Sequence, residues 1–560
     1  MKVLIVGGVA GGASAAARLR RLDENAQVIL IERGEYVSYA SCGLPYYIGG
    51  EITQKSALSV QTPESLRLRQ NLDVRIRQEV VALHPDKRQV EIRDLQRGVT
   101  YIEDYDKLVL SPGAEPVRPP FPGVDDPRVF TLRTIPDTYR IDEFIKENAP
   151  RRALVVGAGF IGLEMAENLT HVGMEVTVAE LSDHVVASLD ADMAADVHSY
   201  LERQGVRLLL QNGVQAIEPF EDHLHVQLSQ GSLDVDIVLL SIGVRPESKL
   251  ARAAGLEVTE RGAIVVDGHM RTSDEHIYAV GDVVQIFQPI TGRAGYVPLA
   301  GPANKQGRIA ADNIAGRQRS YRGTQGTAIL KLFDMVVGTT GLSEAAARSA
   351  GLDFDKVYLM PSSHAEYYPG ARPISMKVLF EKPTGRILGA QLVGFEGVDK
   401  RLDVLATAIF AGMTADDLAE LELAYAPPFS SAKDPVNMAG FMIQNLLEGK
   451  VLQHHWEQLP ALVQQGCVMV DGRTSSEYAS GHIEGALNIP VDELRSRLDE
   501  LDRDTPVCVY CYTGYRSYVA ARILTGNGFD ASHMAGGYRL YVSSVLGLPS
   551  PLAYIRKPKA

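Results

Sequence analysis

The sequence predicts an α/β protein, because one pattern occurs twice: a strand, a glycine-rich turn, a helix and a second strand that ends in an acidic residue. The first copy begins at Lys2 and the second at Arg152. Parallel strands joined by helices produce such an alternation. A third strand, loop and helix pattern begins at Cys467, after a region of mixed strand and helix patterns. We therefore expect two related α/β domains, then an α+β domain and a smaller α/β domain.

The length and composition of the chain fit several globular domains. At roughly 150 residues per domain, the 560 residues predict three or four domains. The net charge of −13 argues against nucleic acid as a partner, because neutralising phosphates requires clustered Lys and Arg side chains. No run of residues is long and uncharged enough to span a bilayer, so no membrane span is expected.

The four cysteines lie at positions 42, 467, 508 and 511. They are too few and too unevenly placed for a disulfide framework, which favours the reducing cytoplasm as the location. The first residues also resemble a secretion signal, because Lys2 precedes an apolar run with small residues. We favour the alternative, in which this run is a nucleotide-binding strand and loop.

The first α/β unit has the features of a dinucleotide-binding Rossmann unit. The strand at 2–6 leads into GGVAGG at 7–12, and glycines there let the backbone approach a pyrophosphate at the helix N-terminus. Val9 departs from the GxGxxG motif, but Glu32 follows Gly12 by 20 residues, where an acceptor for a ribose hydroxyl is expected. The predicted cofactor contacts are Gly7, Gly12 and Glu32.

The second α/β unit carries the complete motif. The strand at 152–156 is followed by GAGFIG at 157–162, and Glu180 lies 18 residues after Gly162. An acid at this place accepts a hydrogen bond from a free 2′-hydroxyl and repels a 2′-phosphate, which favours NADH over NADPH. The predicted contacts are Gly157, Gly159, Gly162 and Glu180.

Two further segments resemble motifs of one family. Residues 272–282 (TSDEHIYAVGD) resemble the second FAD motif of flavoproteins with two dinucleotide domains, and residues 108–113 (LVLSPG) resemble the link between those domains. From Met1 to about residue 445 the chain thus resembles the pyridine nucleotide-disulfide oxidoreductases. The resemblance implies FAD in the first unit and NADH in the second. It places further FAD contacts at Arg33, Ser38, Gly113, Gly281 and Asp282.

Residues 38–50 (SYASCGLPYYIGG) resemble the coenzyme A-disulfide reductase branch of this family, whose members use a single redox cysteine. Other disulfide reductases have a CxxxxC motif, whereas the next cysteine after Cys42 here is Cys467. The resemblance therefore implies that Cys42 forms a mixed disulfide or persulfide with the substrate thiol. Related NADH oxidases and peroxidases carry a histidine in the first glycine turn, where this chain has Val9-Ala10, so oxygen and peroxide chemistry is disfavoured.

By the same resemblance, the mixed strand and helix region before residue 445 is the interface domain of a homodimer, which completes the active site of the partner. Residues 364–370 (HAEYYPG) and 425–430 (YAPPFS) match stretches that the branch uses there. The resemblance directs Tyr425 and one of Tyr367 or Tyr368 at the cysteine, and we choose Tyr367. A phenol can donate a proton to a departing sulfur.

Coenzyme A carries three phosphates, so its site needs cations. Arg18, Arg20 and Arg21 lie on the helix after the first glycine turn, and solvated surface arginines are the alternative interpretation. The residues selected for substrate contact are Arg18, Arg21 and Ser38.

The C-terminal module resembles a rhodanese domain. The resemblance rests on EYASGHIEGALNIP at 477–490 and on the loop CYTGYR at 511–516 between a strand and a helix. The helix dipole and Arg516 are expected to hold the Cys511 thiol as a thiolate, and loop amides to stabilise its persulfide. Cys508 and Cys511 also form C-x-x-C, which leaves a thioredoxin-like pair, half of a zinc site or a phosphatase loop as alternatives. Cys508 is expected to be buried in the strand.

A helix is predicted over residues 446–459, within the linker to this module. The adjacent His454 and His455 would face different sides of such a helix, so no metal site is predicted. The expected domains are an FAD-binding domain of residues 1–112 and 271–322, an NADH-binding domain of 113–270, a dimerisation domain of 323–445, a linker of 446–460 and a rhodanese domain of 461–560.

Together, these resemblances imply an FAD-dependent enzyme. It would use NADH to reduce coenzyme A persulfide, polysulfide or disulfide, releasing sulfide or the free thiol, in a reaction coupled to rhodanese sulfur transfer. Three alternatives remain: a sulfurtransferase with an accessory reductase half, an NADH oxidase-like flavoprotein, and a reductase whose rhodanese module only senses persulfide or docks.

Overall fold

The computed structural model describes residues 1–550. Two compact units divide the chain: the first comprises residues 1–181 and 211–324, and the second comprises 182–210 and the residues from 325 onward. The end of the predicted rhodanese domain, residues 551–560, lies outside the described residues. Within residues 1–550 no helix combines the length and the apolar character needed to cross a membrane.

A five-stranded parallel sheet organises the first half of the first unit. Its strands, in spatial order, are Ile277–Ala279, Lys107–Leu110, Lys2–Val6, Gln27–Glu32 and Asp73–Ile76. Helices Ala10–Leu22 and Ala300–Ile314 bury small and aliphatic side chains against its central strands. The predicted second FAD motif therefore ends in the same sheet as the first glycine turn, although about 270 residues separate the two in sequence.

A second parallel sheet repeats this arrangement within the first unit. Its strands there, in spatial order, are Glu175–Ala179, Arg152–Val156, Ile237–Leu240 and Val129–Thr131, with helices Ile135–Asn148 and Phe160–His171. Two antiparallel three-stranded sheets are also present: Gln78–His84, Gln89–Asp94 and Thr100–Asp104, and Val214–Pro219, Leu224–Leu228 and Ser232–Val235. The remaining short elements are the strand pairs Ala114–Pro116 with Val244–Pro246 and Ile286–Gln288 with Arg293–Gly295, and the helices Leu44–Ile48, Pro63–Gln70 and Lys249–Ala253.

The second unit contains an antiparallel five-stranded sheet. In spatial order its strands are Ala328–Leu332, Met335–Gly341, Ile387–Gly394, Ile374–Glu381 and Phe354–Leu359. The other elements in this part of the second unit are the strand Arg207–Leu209 and the helices Ala191–Arg203, Glu344–Ala350, Val398–Ala411, Ala415–Glu420 and Pro435–Leu447. Two of its inner strands, Ile374–Glu381 and Ile387–Gly394, are buried almost throughout, which explains their continuous apolar pattern in the sequence.

A parallel five-stranded sheet forms the C-terminal part of the second unit. In spatial order its strands are Leu452–His454, Ala531–Met534, Val507–Tyr510, Val468–Asp471 and Leu487–Asn488. Its main helices are Leu459–Gln464, Ser475–Ala479, Tyr515–Gly526 and Gly537–Leu540. The predicted α/β architecture is confirmed by these sheets.

The predicted helix over residues 446–459 is wrong. The preceding helix ends at Leu447, and Gly449 then takes the left-handed conformation with φ +65°, which stops the helix. Residues 452–454 pair instead with the strand at 531–534, and the indole of Trp456 donates to the carbonyl oxygen of Gly537 at 3.0 Å. Pairing with a sheet edge and burial of the aromatic ring outweigh the local helical pattern.

The crossing of helices Ala10–Leu22 and Ala300–Ile314 depends on Gly307, because a Cβ there would clash with the carbonyl oxygen of Gly11. We expect Gly307→Ala to destabilise the first unit by about 1–3 kcal/mol, since one helix must move to relieve the overlap. Thermal unfolding of the purified protein measures the effect. Gly301→Ala, on the same helix and facing open space, is the matched control. Equal midpoints for the two variants would contradict this packing.

Candidate active site

The two glycine turns have nearly the same backbone geometry. Gly7 has φ +98° and Gly157 has φ +99°, a region that glycine adopts without strain. A Cβ on Gly12 would clash with the carbonyl oxygen of Gly7, and the second turn has the same close approach between Gly162 and Gly157. The first and third glycines of each turn are therefore required by the packing of the helix on its strand.

The middle position of the motif is different. A Cβ on Gly159 would meet no atom within 4 Å, so the fold itself permits a side chain there, and Val9 occupies the corresponding position of the first turn. Neither helix has a side-chain cap at its N-terminus. Both described turns therefore leave backbone amides open to a phosphate group, which fits the predicted dinucleotides.

The two predicted ribose acceptors lie against these turns. The carboxylate of Glu32 accepts hydrogen bonds from the amides of Gly8 at 2.8 Å and Gly34 at 2.7 Å. Glu180 accepts one from the amide of Ala158 at 2.7 Å. Each carboxylate is thus held at the end of its second strand, beside the glycine turn.

The other predicted FAD contacts lie in the first unit as well. The amide of Ser38 donates to the carbonyl oxygen of Gly8 at 2.7 Å, and the amide of Gly281 donates to the side chain of Gln306 at 2.7 Å. Burial raises the pKa of Asp282, and the charge of Arg133 opposes this shift. The remaining two are Arg33, which pairs with Glu115 at 3.1 Å, and Gly113, which has φ +78°.

Cys42 lies in a short turn, Ser41–Gly43, immediately before the helix Leu44–Ile48, and it is an exposed free thiol. Partial desolvation raises the pKa of the Cys42 thiol, and the carboxylate of Glu164 raises it further, while a hydrogen bond with Ser41 acts in the opposite direction. In the absence of a bound ligand the protein therefore favours the neutral thiol at this position.

Glu164 is a neighbour of Cys42 that sequence reasoning missed. It lies on the helix Phe160–His171, and the hydroxyl of Tyr46 donates to its carboxylate at 3.3 Å. Burial raises the pKa of Glu164 to about 7, helped by the nearby Glu167 and opposed by Tyr46. An acidic residue inside the otherwise apolar run FIGLEMA was the available signal.

A cavity of about 320 Å³ lies beside the first glycine turn. The predicted Arg18, Arg21 and Ser38 line it, together with the unpredicted Ser14, Gln61, Asn304 and Arg308. Arg18 is held by Asp312 at 2.7 Å. Arg20 is buried and donates to backbone carbonyls such as that of Asn71 at 2.9 Å, so it does not serve the cavity.

Tyr367 and Tyr425 form a pair on the surface of the second unit. Their hydroxyls are 2.9 Å apart, and the residues are 75% and 49% exposed. The hydrogen bond with Tyr425 raises the pKa of Tyr367. The ring of Tyr368 instead packs edge-on against His364 at 5.7 Å, so the geometry pairs Tyr425 with Tyr367.

Cys511 lies at the end of the central strand of the C-terminal sheet and is only 1% exposed. The amide of Gly514 donates to its sulfur at 3.1 Å, and the helix Tyr515–Gly526 begins at the next residue. Both terminal nitrogens of Arg516 contact the carboxylate of Glu477 at 2.7 Å, and its charge also acts on Cys511.

Cys508 is buried in the strand, as predicted, and burial raises its pKa to about 12. A thiol with so high a pKa is a poor partner for a redox pair with Cys511. Within residues 1–550 no group of three or more His, Cys, Asp or Glu side chains is arranged to hold a metal ion.

Comparison with known proteins places these sites in context. The family profile "Pyridine nucleotide-disulphide oxidoreductase" matches residues 1–307, its dimerisation domain matches 327–435, and "Rhodanese-like domain" matches 455–544. A coenzyme A disulfide reductase of Staphylococcus haemolyticus is 34% identical over 446 residues, covering 80% of this chain and 100% of the relative.

Two solved structures resemble nearly the whole chain. Reduced CoADR-RHD from Bacillus anthracis is 46% identical with a TM-score of 0.96, and the match covers 98% of each chain. An NAD-dependent persulfide reductase from A. fulgidus is 39% identical with a TM-score of 0.90, covering 97% of this chain and 100% of the other.

Replacing Glu164 by Gln should shift the reactivity of Cys42 to lower pH by about one unit. Because the pKa of Glu164 is about 7, its carboxylate is charged in the range where a thiol with a raised pKa ionises, and there it disfavours the thiolate. The rate of Cys42 alkylation by iodoacetamide, followed against pH in the FAD-loaded protein, measures this shift. The exposed Glu147, changed to Gln, is the control, and an equal displacement in both variants would contradict the assignment.

Proposed function

We propose that this chain, which belongs to the pyridine nucleotide-disulphide oxidoreductase family, is an NADH-dependent flavoprotein that reduces persulfides and disulfides of coenzyme A. The observation that carries the proposal is that Cys42 is the only cysteine of the first unit, since the others lie at 467, 508 and 511. A single thiol cannot close a disulfide within its own unit, which supports the sulfur of the substrate as its redox partner. Relatives named as a coenzyme A disulfide reductase and a persulfide reductase support this substrate class.

The first glycine turn, with Glu32 and Asp282, would hold FAD, and the second turn, with Glu180, would hold NADH. The chemistry that these cofactors supply when bound is the transfer of two electrons to the sulfur of Cys42. NADH is favoured over NADPH because Glu180 would repel a 2′-phosphate. The predicted domain boundaries and the other predicted cofactor contacts remain part of this proposal.

Cys42 acts on the substrate as a nucleophile. Its thiolate attacks the outer sulfur of a coenzyme A persulfide or one sulfur of the disulfide, the sulfur–sulfur bond breaks, and its electron pair leaves on the thiol of coenzyme A. The product on the protein is a persulfide or a mixed disulfide at Cys42. Two-electron reduction then releases hydrosulfide or the second thiol and restores Cys42.

The arginine-lined cavity is the proposed site for the phosphates of coenzyme A. Arg18 and Arg21 supply positive charge from one helix and Arg308 from another. The guanidinium groups suit bidentate binding of phosphate. Ser38 lines the same cavity and lies four residues before Cys42, which favours binding of the phosphates there while the thiol of the same molecule extends toward Cys42.

The tyrosine pair is proposed to complete the active site across a homodimer. The chain carries the dimerisation domain of the family, and both tyrosines are exposed in the single chain. One hydroxyl would donate a proton to the departing thiolate of coenzyme A, while the hydrogen bond from the other keeps it oriented.

The C-terminal module is proposed to transfer sulfane sulfur through Cys511. The amide of Gly514 and the guanidinium of Arg516 act on this sulfur and would stabilise the terminal anion of a persulfide. Sulfur carried by Cys511 then passes to a low-molecular-weight thiol such as coenzyme A, which supplies the substrate for Cys42.

Cys42→Ser should abolish NADH oxidation driven by coenzyme A persulfide and by coenzyme A disulfide, with a loss of at least about a thousandfold, because serine cannot form the mixed disulfide. Absorbance of NADH at saturating substrate, with sulfide followed in parallel, measures the loss. Cys467→Ser, in the second unit, is the control and should keep its activity. Persulfide-dependent NADH oxidation that survives in Cys42→Ser would refute the proposed function.

Mixed dimers test the shared active site. In a heterodimer of Cys42→Ser and Tyr425→Phe chains, one site holds both changes and the other holds neither, provided that tyrosine and cysteine come from different chains. The heterodimer should then show about half of the activity of the wild-type dimer, because one of its two sites is intact, whereas each parent dimer stays low. Steady-state NADH oxidation of the separately tagged and purified heterodimer provides the measurement. A heterodimer no more active than its parents would place both residues in one chain.

A further inference from the structure

Three arginines act on the Cys511 loop, and each is neutralised by a carboxylate. The backbone amide of Arg539 donates to the carbonyl oxygen of Tyr512 in this loop at 3.0 Å. Burial raises the pKa of Tyr512, and the charges of Arg539 and Arg473 oppose the shift. Arg516 acts on Cys511 itself. The ion pairs are Arg516–Glu477, Arg473–Asp471 and Arg539–Asp196.

The pair nearest to Cys511 is tightly built. Glu477 accepts from both terminal nitrogens of Arg516 at 2.7 Å, and it also accepts from the amide and the hydroxyl of Thr474 at 3.1 and 3.0 Å. These hydrogen bonds lower the pKa of Glu477 to about 2, so the carboxylate is ionised at any physiological pH. Arg516, the one cation within the loop at 511–516, therefore has a permanently charged partner.

The pairing of Arg516 with Glu477 changes how strongly sulfur donors of different charge are attracted to Cys511. Thiosulfate carries two negative charges, whereas the persulfide of a low-molecular-weight thiol carries one at its reactive end. An uncompensated arginine would attract the dianion more strongly, but a neighbouring carboxylate repels a donor in proportion to the charge of that donor. The exposed Tyr515 beside Arg516 adds an apolar surface rather than a further charge.

We propose that the Cys511 loop is selective for persulfides of low-molecular-weight thiols and discriminates against thiosulfate, with Glu477 as the residue that determines this specificity. The inference deepens the proposed function and rests on sulfur transfer at Cys511. The Cys511 thiolate attacks the outer sulfur of the donor R–S–S⁻, and the sulfur–sulfur bond breaks with its electron pair on R–S⁻, which takes a proton from water. Cys511 keeps the sulfane sulfur as a persulfide, and no net electrons are exchanged.

The test measures sulfur loading of Cys511 in the full-length protein by mass spectrometry, after brief exposure to thiosulfate or to cysteine persulfide, whose ammonium group offsets its carboxylate and leaves one net negative charge. The wild-type protein should load from the persulfide at least about tenfold faster. Glu477→Gln should raise the rate with thiosulfate by about tenfold and change the rate with the persulfide by less than about threefold, because only the dianion gains strongly from the exposed arginine charge.

Glu484→Gln is the matched control, since it removes the same charge from an exposed position of the same module. Equal loading by both donors in the wild type would overturn the proposal. An equal change of both rates in Glu477→Gln would also overturn it, since that pattern indicates a purely structural role.

A second test compares donors of different charge on the wild-type protein, so its result does not depend on whether the Glu477 variant folds. Methanethiosulfonate carries one negative charge and thiosulfate two, so the former should load Cys511 faster, and the difference should shrink at high salt. The reverse order would overturn the proposal. If no donor loads Cys511, sulfur transfer itself is absent and the proposed function of this module falls, whereas loading without charge selectivity removes only the role of Glu477.

Discussion

The close packing of backbone against backbone at the two glycine turns is the constraint on which the first unit depends. Each helix packs so closely on its strand that a side chain on Gly12 or Gly162 would clash with the carbonyl oxygen of Gly7 or Gly157. Gly7 and Gly157 also adopt positive φ, which glycine does without strain. This approach brings the uncapped helix N-terminus and the acid of the next strand to one edge of the sheet. Cys42 follows the acid of the first of these units, Glu32, by ten residues.

The two reactive sulfur atoms lie in opposite electrostatic surroundings. Cys42 is exposed, and its partial desolvation and then the charge of Glu164 raise its pKa, which favours the neutral thiol. Cys511 is buried, accepts an amide hydrogen bond and lies beside a guanidinium group. The two thiols thus differ in burial, in hydrogen bonding and in the charge beside them, and these are the properties that set the reactivity of a cysteine.

Compensated charge is a feature of the second unit beyond the Cys511 loop. Lys377 is fully buried, and its ammonium group is surrounded by Asp190, Asp192 and Glu344. Buried charges require such partners, because an unpaired ion is costly to remove from water. Arg539 is held in the same way by Asp196, and its backbone amide donates to the carbonyl oxygen of Tyr512, so the helix that carries it also braces the sulfur loop.

The sequence by itself determined the α/β architecture and both glycine turns, because these depend on local periodicity and on backbone conformations that glycine adopts without strain. It also placed Cys42 and Cys511 in loops that follow a strand, since the strands are local patterns. The helix predicted over 446–459 was wrong because the pairing partner of residues 452–454 lies about 80 residues further along the chain. Glu164, Arg308 and Glu477 were missed for a related reason. Each reaches its neighbour only after distant helices or loops have packed, and no spacing in the sequence records such contacts.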